Sequence, residues 1–121
     1  MIHFELLRDQ GILIITPEGP LQAADFLKLS EAIDPFIKEE GELKGLLIDA
    51  PAFPGWESLG DMVSHFKFVK NHERFIQKVA VVSDIRFAKV MPHFVRHFIH
   101  AKIRHFGRSE KDQALAWLTA Q

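Results

Sequence analysis

The sequence predicts an α/β fold built on a mixed, mostly parallel sheet with one antiparallel edge, its elements running β-β-α-β-α-β-α-β-α. Three observations carry this. Two short apolar runs at the start are separated by no more than a turn. Two compact apolar runs follow, Gly45-Leu-Leu-Ile and Val79-Ala-Val-Val. Segments with helical apolar spacing lie between and after them. Uninterrupted apolar runs suit strands buried on both faces, as in a parallel sheet.

Ile2–Arg8 and Gly11–Thr16 read as a hairpin turning at Gln10-Gly11, ended by Thr16-Pro-Glu-Gly-Pro20. Over Leu21–Lys38, residues Phe26, Leu29, Ile33 and Phe36 or Ile37 recur at helical spacing. Pro35 is expected to kink or end that helix, and Gly41 to stop it. Leu43–Asp49 is a central strand, and Pro51–Trp56 a loop. Ser58–Asn71 is a helix with Leu59, Met62, Val63, Phe66 and Val69 on one side. Gln77–Val82 is a second buried strand. Ile85–Ala101 is a helix interrupted near Pro92, and Ile103–Phe106 a short strand. Ser109 is expected to cap a last helix, Glu110–Ala120, with Ala114, Trp117 and Leu118 facing inward.

The 121 residues suit one domain spanning 1–121, and 47% apolar with 26% charged residues is an ordinary globular composition. With no cysteine, disulfides, thiolate metal sites and cysteine nucleophiles are excluded. No apolar run is long enough for a signal peptide or a membrane span, so a cytoplasmic protein is expected. The net charge of −1 hides an asymmetry: residues 1–60 carry 4 Lys/Arg against 11 Asp/Glu, and residues 61–121 carry 11 against 5. From Arg86 to Arg108 there are six Lys/Arg, four His and no carboxylate. Such a region attracts anionic surfaces.

The element order resembles the STAS fold, and within it the chain resembles the SpoIIAA-like family of small bacterial proteins. The resemblance rests on Leu47-Ile-Asp49, Gly55-Trp56, Asp61, His72, Lys78-Val-Ala-Val-Val82 followed by Asp84, Phe106, and Ala114 with Trp117-Leu118. It implies a non-enzymatic domain with no cofactor. Anti-sigma-factor antagonists of this fold carry a phosphorylatable Ser just after the third strand. Here the stretch reads Asp49-Ala-Pro-Ala-Phe-Pro-Gly-Trp-Glu-Ser58, so Ser58 is the candidate phosphoacceptor. The Trp that the family often has after the Asp84 strand is Phe87 here. The fold is also similar to the lipid-carrying CRAL-TRIO domain, which implies ligand binding or membrane association.

Two segments carry the functional expectation. Between Arg86 and Arg104, Phe87, Val90, Met91, Phe94, Val95 and Phe98 recur at steps of three and four, with Arg86, Lys89, His93, Arg96, His97 and His100 opposite. That is a basic amphipathic helix, the pattern of a segment lying on a phospholipid surface. The competing explanation is an ordinary apolar stripe facing the sheet. The second segment is the Phe53–Trp56 loop. With Met62 and Phe66 behind it and Phe94 and Phe98 on the basic helix, it is expected to bracket a pocket for an apolar ligand, its aromatics acting as a lid. The competing explanation is that both rings cover the edge of the core.

His93, His97 and His100 have metal-ligand spacing, but no carboxylate joins them and Arg96 lies beside them, so no metal is expected. Asp49, Asp84 and His72 are a weak enzymatic alternative, since no phosphate loop, nucleophile elbow or metal signature is present. No catalytic residue is therefore assigned; Asp61 and His72 are expected to hydrogen-bond in holding loop and helix in place. The expected partners are a lipophilic small molecule or an anionic membrane surface, the latter at the inner membrane. The alternatives are a homodimer and a regulatory protein partner of the anti-sigma-factor-antagonist type. Nucleic acid is not expected: known modules are missing and the pI is 6.6.

Overall fold

The two opening apolar runs can bury their side chains only by pairing, and Gly11 lets the chain reverse between them. In the computed structural model, which describes residues 1–88 and 100–120 (backbone alone at Phe87 and Ala88), they form β1 (Ile2–Leu7) and β2 (Ile12–Pro17). The strands pair antiparallel, from Ile2 opposite Pro17 to Leu7 opposite Ile12. Gly11 adopts φ 69°, and its N–H and that of Gln10 both donate to the Leu7 carbonyl. β3 (Leu43–Asp49), β4 (Ile76–Val82) and β5 (Lys102–Phe106) then add in turn, each parallel to the one before. The sheet order is therefore the sequence order, with β1 and β5 at its edges.

Parallel neighbours need crossovers. Those described are α1 (Ala23–Glu40), α2 (Leu59–His72), which leads through a 3-10 turn at Glu73–Phe75, and α3 (Ile85–Ala88); α4 (Lys111–Thr119) follows β5. Alternate residues of each central strand enter different cores. Leu13, Leu46 and Val79 pack with Phe26, Leu29 and Ile33 of α1, while Ile12, Leu47, Ala80, Val82 and Phe106 pack with Ala114 and Leu118 of α4. Burial on both faces is why these strands read as unbroken apolar runs.

Gly45 lies on the α4 face of β3. A Cβ there would come within 2.9 Å of the Leu118 side chain, so glycine is what allows α4 to seat on the sheet. Gly45→Ala is expected to cost about 1–3 kcal/mol by overpacking, read as a lower urea midpoint with unchanged slope.

Three expectations are corrected. Pro35 does not end α1, which runs on to Glu40 and stops at Gly41, φ 92°. Pro35 sits on the exposed side, where water can satisfy the carbonyl left without a donor, while Ile33, Phe36 and Ile37 stay buried. Ser109 does not cap the last helix. Glu110 is its N-cap residue, and its carboxylate reaches back to accept from Gly107 N–H at 2.7 Å. Ala101 is not helical, since the chain bends at residues 100–101 and enters β5. The remainder of the expected 85–101 helix, residues 89–99, lies outside the described residues.

Candidate functional site

Ligands of open α/β sheets gather at the carboxyl ends of the strands. Here the chain leaving β3 is tied to the chain leaving β4: Ala50 N–H donates to Val82 O at 3.0 Å and Asp84 N–H to Pro51 O at 2.8 Å. The 51–58 loop is laced to the entry of α1 as well. Leu21 N–H donates to Gly55 O (2.8 Å) and Glu57 N–H to Leu21 O (3.2 Å), with Gly55 at φ 81° making the bend. Ser58 caps α2, its Oγ accepting from Asp61 N–H at 3.2 Å and donating to Asp61 Oδ2 at 2.8 Å. Asp61 Oδ1 accepts from Ala23 N–H at 2.8 Å. These bonds, that from Ala23 first, hold the Asp61 carboxyl below the usual carboxylate value. The loop that carries Phe53 and Trp56 is thus a pinned segment.

Helix α2 presents a different arc to α1 than its apolar spacing suggests. Asp61, His65, Phe68 and His72 face α1. The His65 ring stacks on Phe26 (centroids 4.8 Å, 14°), and Phe68 lies 5.6 Å from Phe26. His72 is buried, its Nε2 2.7 Å from Asp34 Oδ1 and its Nδ1 2.8 Å from Phe68 O. Asp61 and His72 therefore hold loop and helix as expected, through separate partners. The apolar arc is turned outward instead: Leu59 is 72%, Val63 43% and Phe66 52% exposed. Met62 and Val69 are half-buried beside them. Stacking and hydrogen bonding to α1 set the helix's rotation.

His65, which periodicity did not single out, organises the surface. Its Nδ1 accepts from Trp56 Nε1–H at 3.1 Å, so that nitrogen carries no proton. Its ring lies parallel to Phe53 (6.5 Å, 15°) as well as to Phe26. Burial pushes the imidazole down to about 4. Trp56 in turn meets Phe53 edge-on at 4.8 Å and Phe66 at 5.8 Å. Phe53, Trp56, Phe66, Val63 and Leu59 thus form one apolar surface. Ile85, 77% exposed, follows Asp84 and so sits beside the same loop. Arg86 next to it is solvent-facing and pairs with Asp84 at 3.2 Å.

The expected residues divide as follows. Phe53, Trp56, Met62 and Phe66 come together, and Arg86 lies across the paired loops. Phe87 is described only as backbone in α3, and Lys89, Met91, Phe94, Val95, Arg96 and Phe98 lie outside the described residues, as do His93 and His97. Two grooves open between α1 and α2, about 500 and 220 Å³, with Ile37 and Phe75 in the larger, Phe26 and Leu27 in the smaller, and Ser30, Asn71 and His72 in both.

Asp49, Asp84 and His72 do not converge: they pair with Lys111, Arg86 and Asp34 respectively. A carboxylate does join His100, correcting the expectation. Glu73 Oε2 lies 3.2 Å from His100 Nδ1. Among the described residues no three His, Asp or Glu side chains gather as a metal site. Ser83, buried, pairs with His105 (Oγ to Nε2, 2.8 Å), a contact that sequence spacing could not show.

The SpoIIAA-like family profile matches residues 12–119, nearly the whole chain and all of the parallel sheet. This chain belongs to the SpoIIAA-like family. A similar solved structure is that of an uncharacterised protein of the DUF3478 family from Shewanella loihica PV-4, described as having a SpoIIAA-like fold. It superimposes with a TM-score of 0.69 at 20% identity, covering 98% of this chain and 92% of that one. That likeness shows the SpoIIAA-like fold. No curated protein matches the chain. In this SpoIIAA-like domain Ser58 stands exposed at the start of α2, but its hydroxyl is engaged by Asp61 and Glu57 adjoins it. A phosphate there would meet the helix N-terminus favourably and the Asp61 carboxylate unfavourably.

Proposed function

We propose that this single domain is a non-catalytic binding module that associates reversibly with anionic membrane surfaces. The observation that carries the reading is the continuous exposed apolar surface of Phe53, Leu59, Val63 and Phe66, backed by Trp56. Adjoining exposed large apolar residues on a pinned loop and a helix mark a surface that something else covers. Arg86 stands at its border, and the stretch from Arg86 to Arg108 holds six Lys/Arg without a carboxylate. Each such charge contributes on the order of 1 kcal/mol near an anionic bilayer. The apolar rings supply insertion, the cations attraction. A lipophilic small molecule held at the same surface belongs to this reading as its ligand. Among the described residues no helix is long and apolar enough to cross a membrane.

Co-sedimentation with vesicles tests this. Binding is expected to phosphatidylglycerol-containing vesicles at low salt, to weaken as salt screens the attraction, and to be slight with phosphatidylcholine alone. Phe53→Ser combined with Phe66→Ser is expected to weaken it by about tenfold or more, since even partial burial of each ring is worth over 1 kcal/mol. Equal binding by the double variant, or none by the wild type to anionic vesicles at low salt, would refute it.

The second reading, a regulatory protein-interaction module of the anti-sigma-factor-antagonist type, draws on the exposed Ser58 at the start of α2. Phosphorylated Ser58 in protein isolated from its host, with no vesicle binding, is the outcome that favours it.

A further inference from the structure

Among the described residues the outer side of β5 is a short stretch of sheet edge without a neighbour, closed at both ends. Phe106 O accepts from Ser83 N–H at 3.0 Å, so by the alternation of a parallel ladder Lys102, Arg104 and Phe106 direct their backbone groups at β4. Ile103 and His105 direct theirs outward. The flanking N–H groups are already used: Ala101 donates to Glu73 Oε1 at 2.8 Å and Gly107 to Glu110 Oε1 at 2.7 Å. Among the described residues no strand pairs with this side of β5. Among the described residues nothing takes up the N–H and C=O of these two residues, enough to hold a short extended segment through four hydrogen bonds.

The side chains on this edge are cationic. Lys102 and Arg104 are exposed on the α4 face, with the Arg104 guanidinium held 4.7 Å over the Phe106 ring. Arg108 follows, also exposed, and the sequence has no carboxylate between Asp84 and Glu110. Cations on an edge strand discourage pairing with a second copy of that strand, where like charges would oppose one another. The β1 edge of a second copy is no better matched: Glu5 and Asp9 stand beside Arg8 and His3. The same cations attract a strand that carries carboxylates on one face.

We propose that β5 accepts an extended acidic segment of a partner protein as a sixth strand, its carboxylates at alternate positions beside Lys102 and Arg104. Main-chain hydrogen bonds to Ile103 and His105 supply the docking, and charge supplies the choice of partner. A nucleic acid could meet the charge but has no peptide groups to extend the ladder. The proposal shares Lys102, Arg104 and Arg108 with the cationic stretch invoked for membrane association but does not involve Phe53, Leu59, Val63 or Phe66, so substitutions at those apolar residues are expected to leave peptide binding unchanged.

The test uses a fluorescent peptide of alternating Glu and Val, the same peptide with Lys for Glu, and an acidic peptide with Pro at its central positions. Binding by fluorescence anisotropy is expected for the first alone, weakened by salt, and at least about tenfold weaker with Lys102→Glu and Arg104→Glu together. Because both side chains are exposed, these changes leave the fold intact. Amide exchange followed by NMR is expected to slow at Ile103 and His105 when the Glu-Val peptide is added. Equal binding of the proline peptide, unchanged exchange at those two amides, or a preference for oligothymidylate over the peptide would each overturn the proposal, as would no binding at all.

Discussion

Glu73→Ala is expected to lower stability at neutral pH by about 1.5–3 kcal/mol, the worth of hydrogen bonds to a charged acceptor. Glu73 follows α2, yet its carboxylate accepts from the N–H groups of His100 and Ala101 and lies 3.2 Å from the His100 ring. It therefore fixes where the chain re-enters the sheet as β5, bridging 27 residues of sequence. The side chain is 9% exposed. Burial by itself would raise this carboxyl. The hydrogen bonds from Ala101 and His100, with the His100 charge, outweigh it and hold the carboxyl below its ordinary value. The sign of the pH dependence follows. The folded state binds this proton less readily than the unfolded chain, so the contribution is complete above the unfolded value near 4.5 and is lost as pH falls through the lower folded value. Urea unfolding at pH 7 reads the variant. Glu73→Gln, which keeps one acceptor, is expected to retain part of the loss. A wild-type midpoint for Glu73→Ala would show that water satisfies those donors.

The second large effect is acid loss of stability centred on His65. Its folded pKa is about 4 against 6.5 in the unfolded chain, so between those values the unfolded state takes up a proton that the folded state refuses. The stabilisation is fully present above pH 6.5, declines as pH falls towards 4, and changes no further below that. The full shift corresponds to about 3 kcal/mol. Because the ring keeps some contact with solvent, about 2 kcal/mol is the expected loss. Among the described residues the groups against the ring are Trp56, Phe26, Phe53 and Phe66, and no carboxylate. His65→Phe preserves the stack but cannot titrate. Comparing urea midpoints of wild type and variant at pH 7, 5.5 and 4 isolates this contribution from those of the other histidines. Parallel pH profiles would show that His65 is not the group responsible.

These two residues mark the boundary of what the chain discloses before folding. Order and type of strand were legible because central strands buried on both faces leave unbroken apolar runs, as at Leu46-Leu47 and Val79–Val82. The helix stop at Gly41 was legible because it is local backbone chemistry. The rotation of α2 was not. Its apolar arc of Leu59, Val63 and Phe66 looks like a core face in sequence, whereas stacking of His65 and Phe68 on Phe26 and the His72–Asp34 pair turn that arc to solvent. Likewise, spacing brought Phe53, Trp56 and Phe66 under suspicion, but not the histidine that holds them together.

The sequence by itself determined the α/β class, the order of the elements and the separation of charge along the chain. All three follow from periodicity and composition, which are properties of neighbouring residues. Only the tertiary structure decided which helix face is exposed, where Glu73 and His65 bind, and that sequential strand order leaves β5 as a cationic edge. Those depend on contacts between residues distant in sequence, whose geometry is set by packing and hydrogen-bond satisfaction across elements and leaves no local periodic trace.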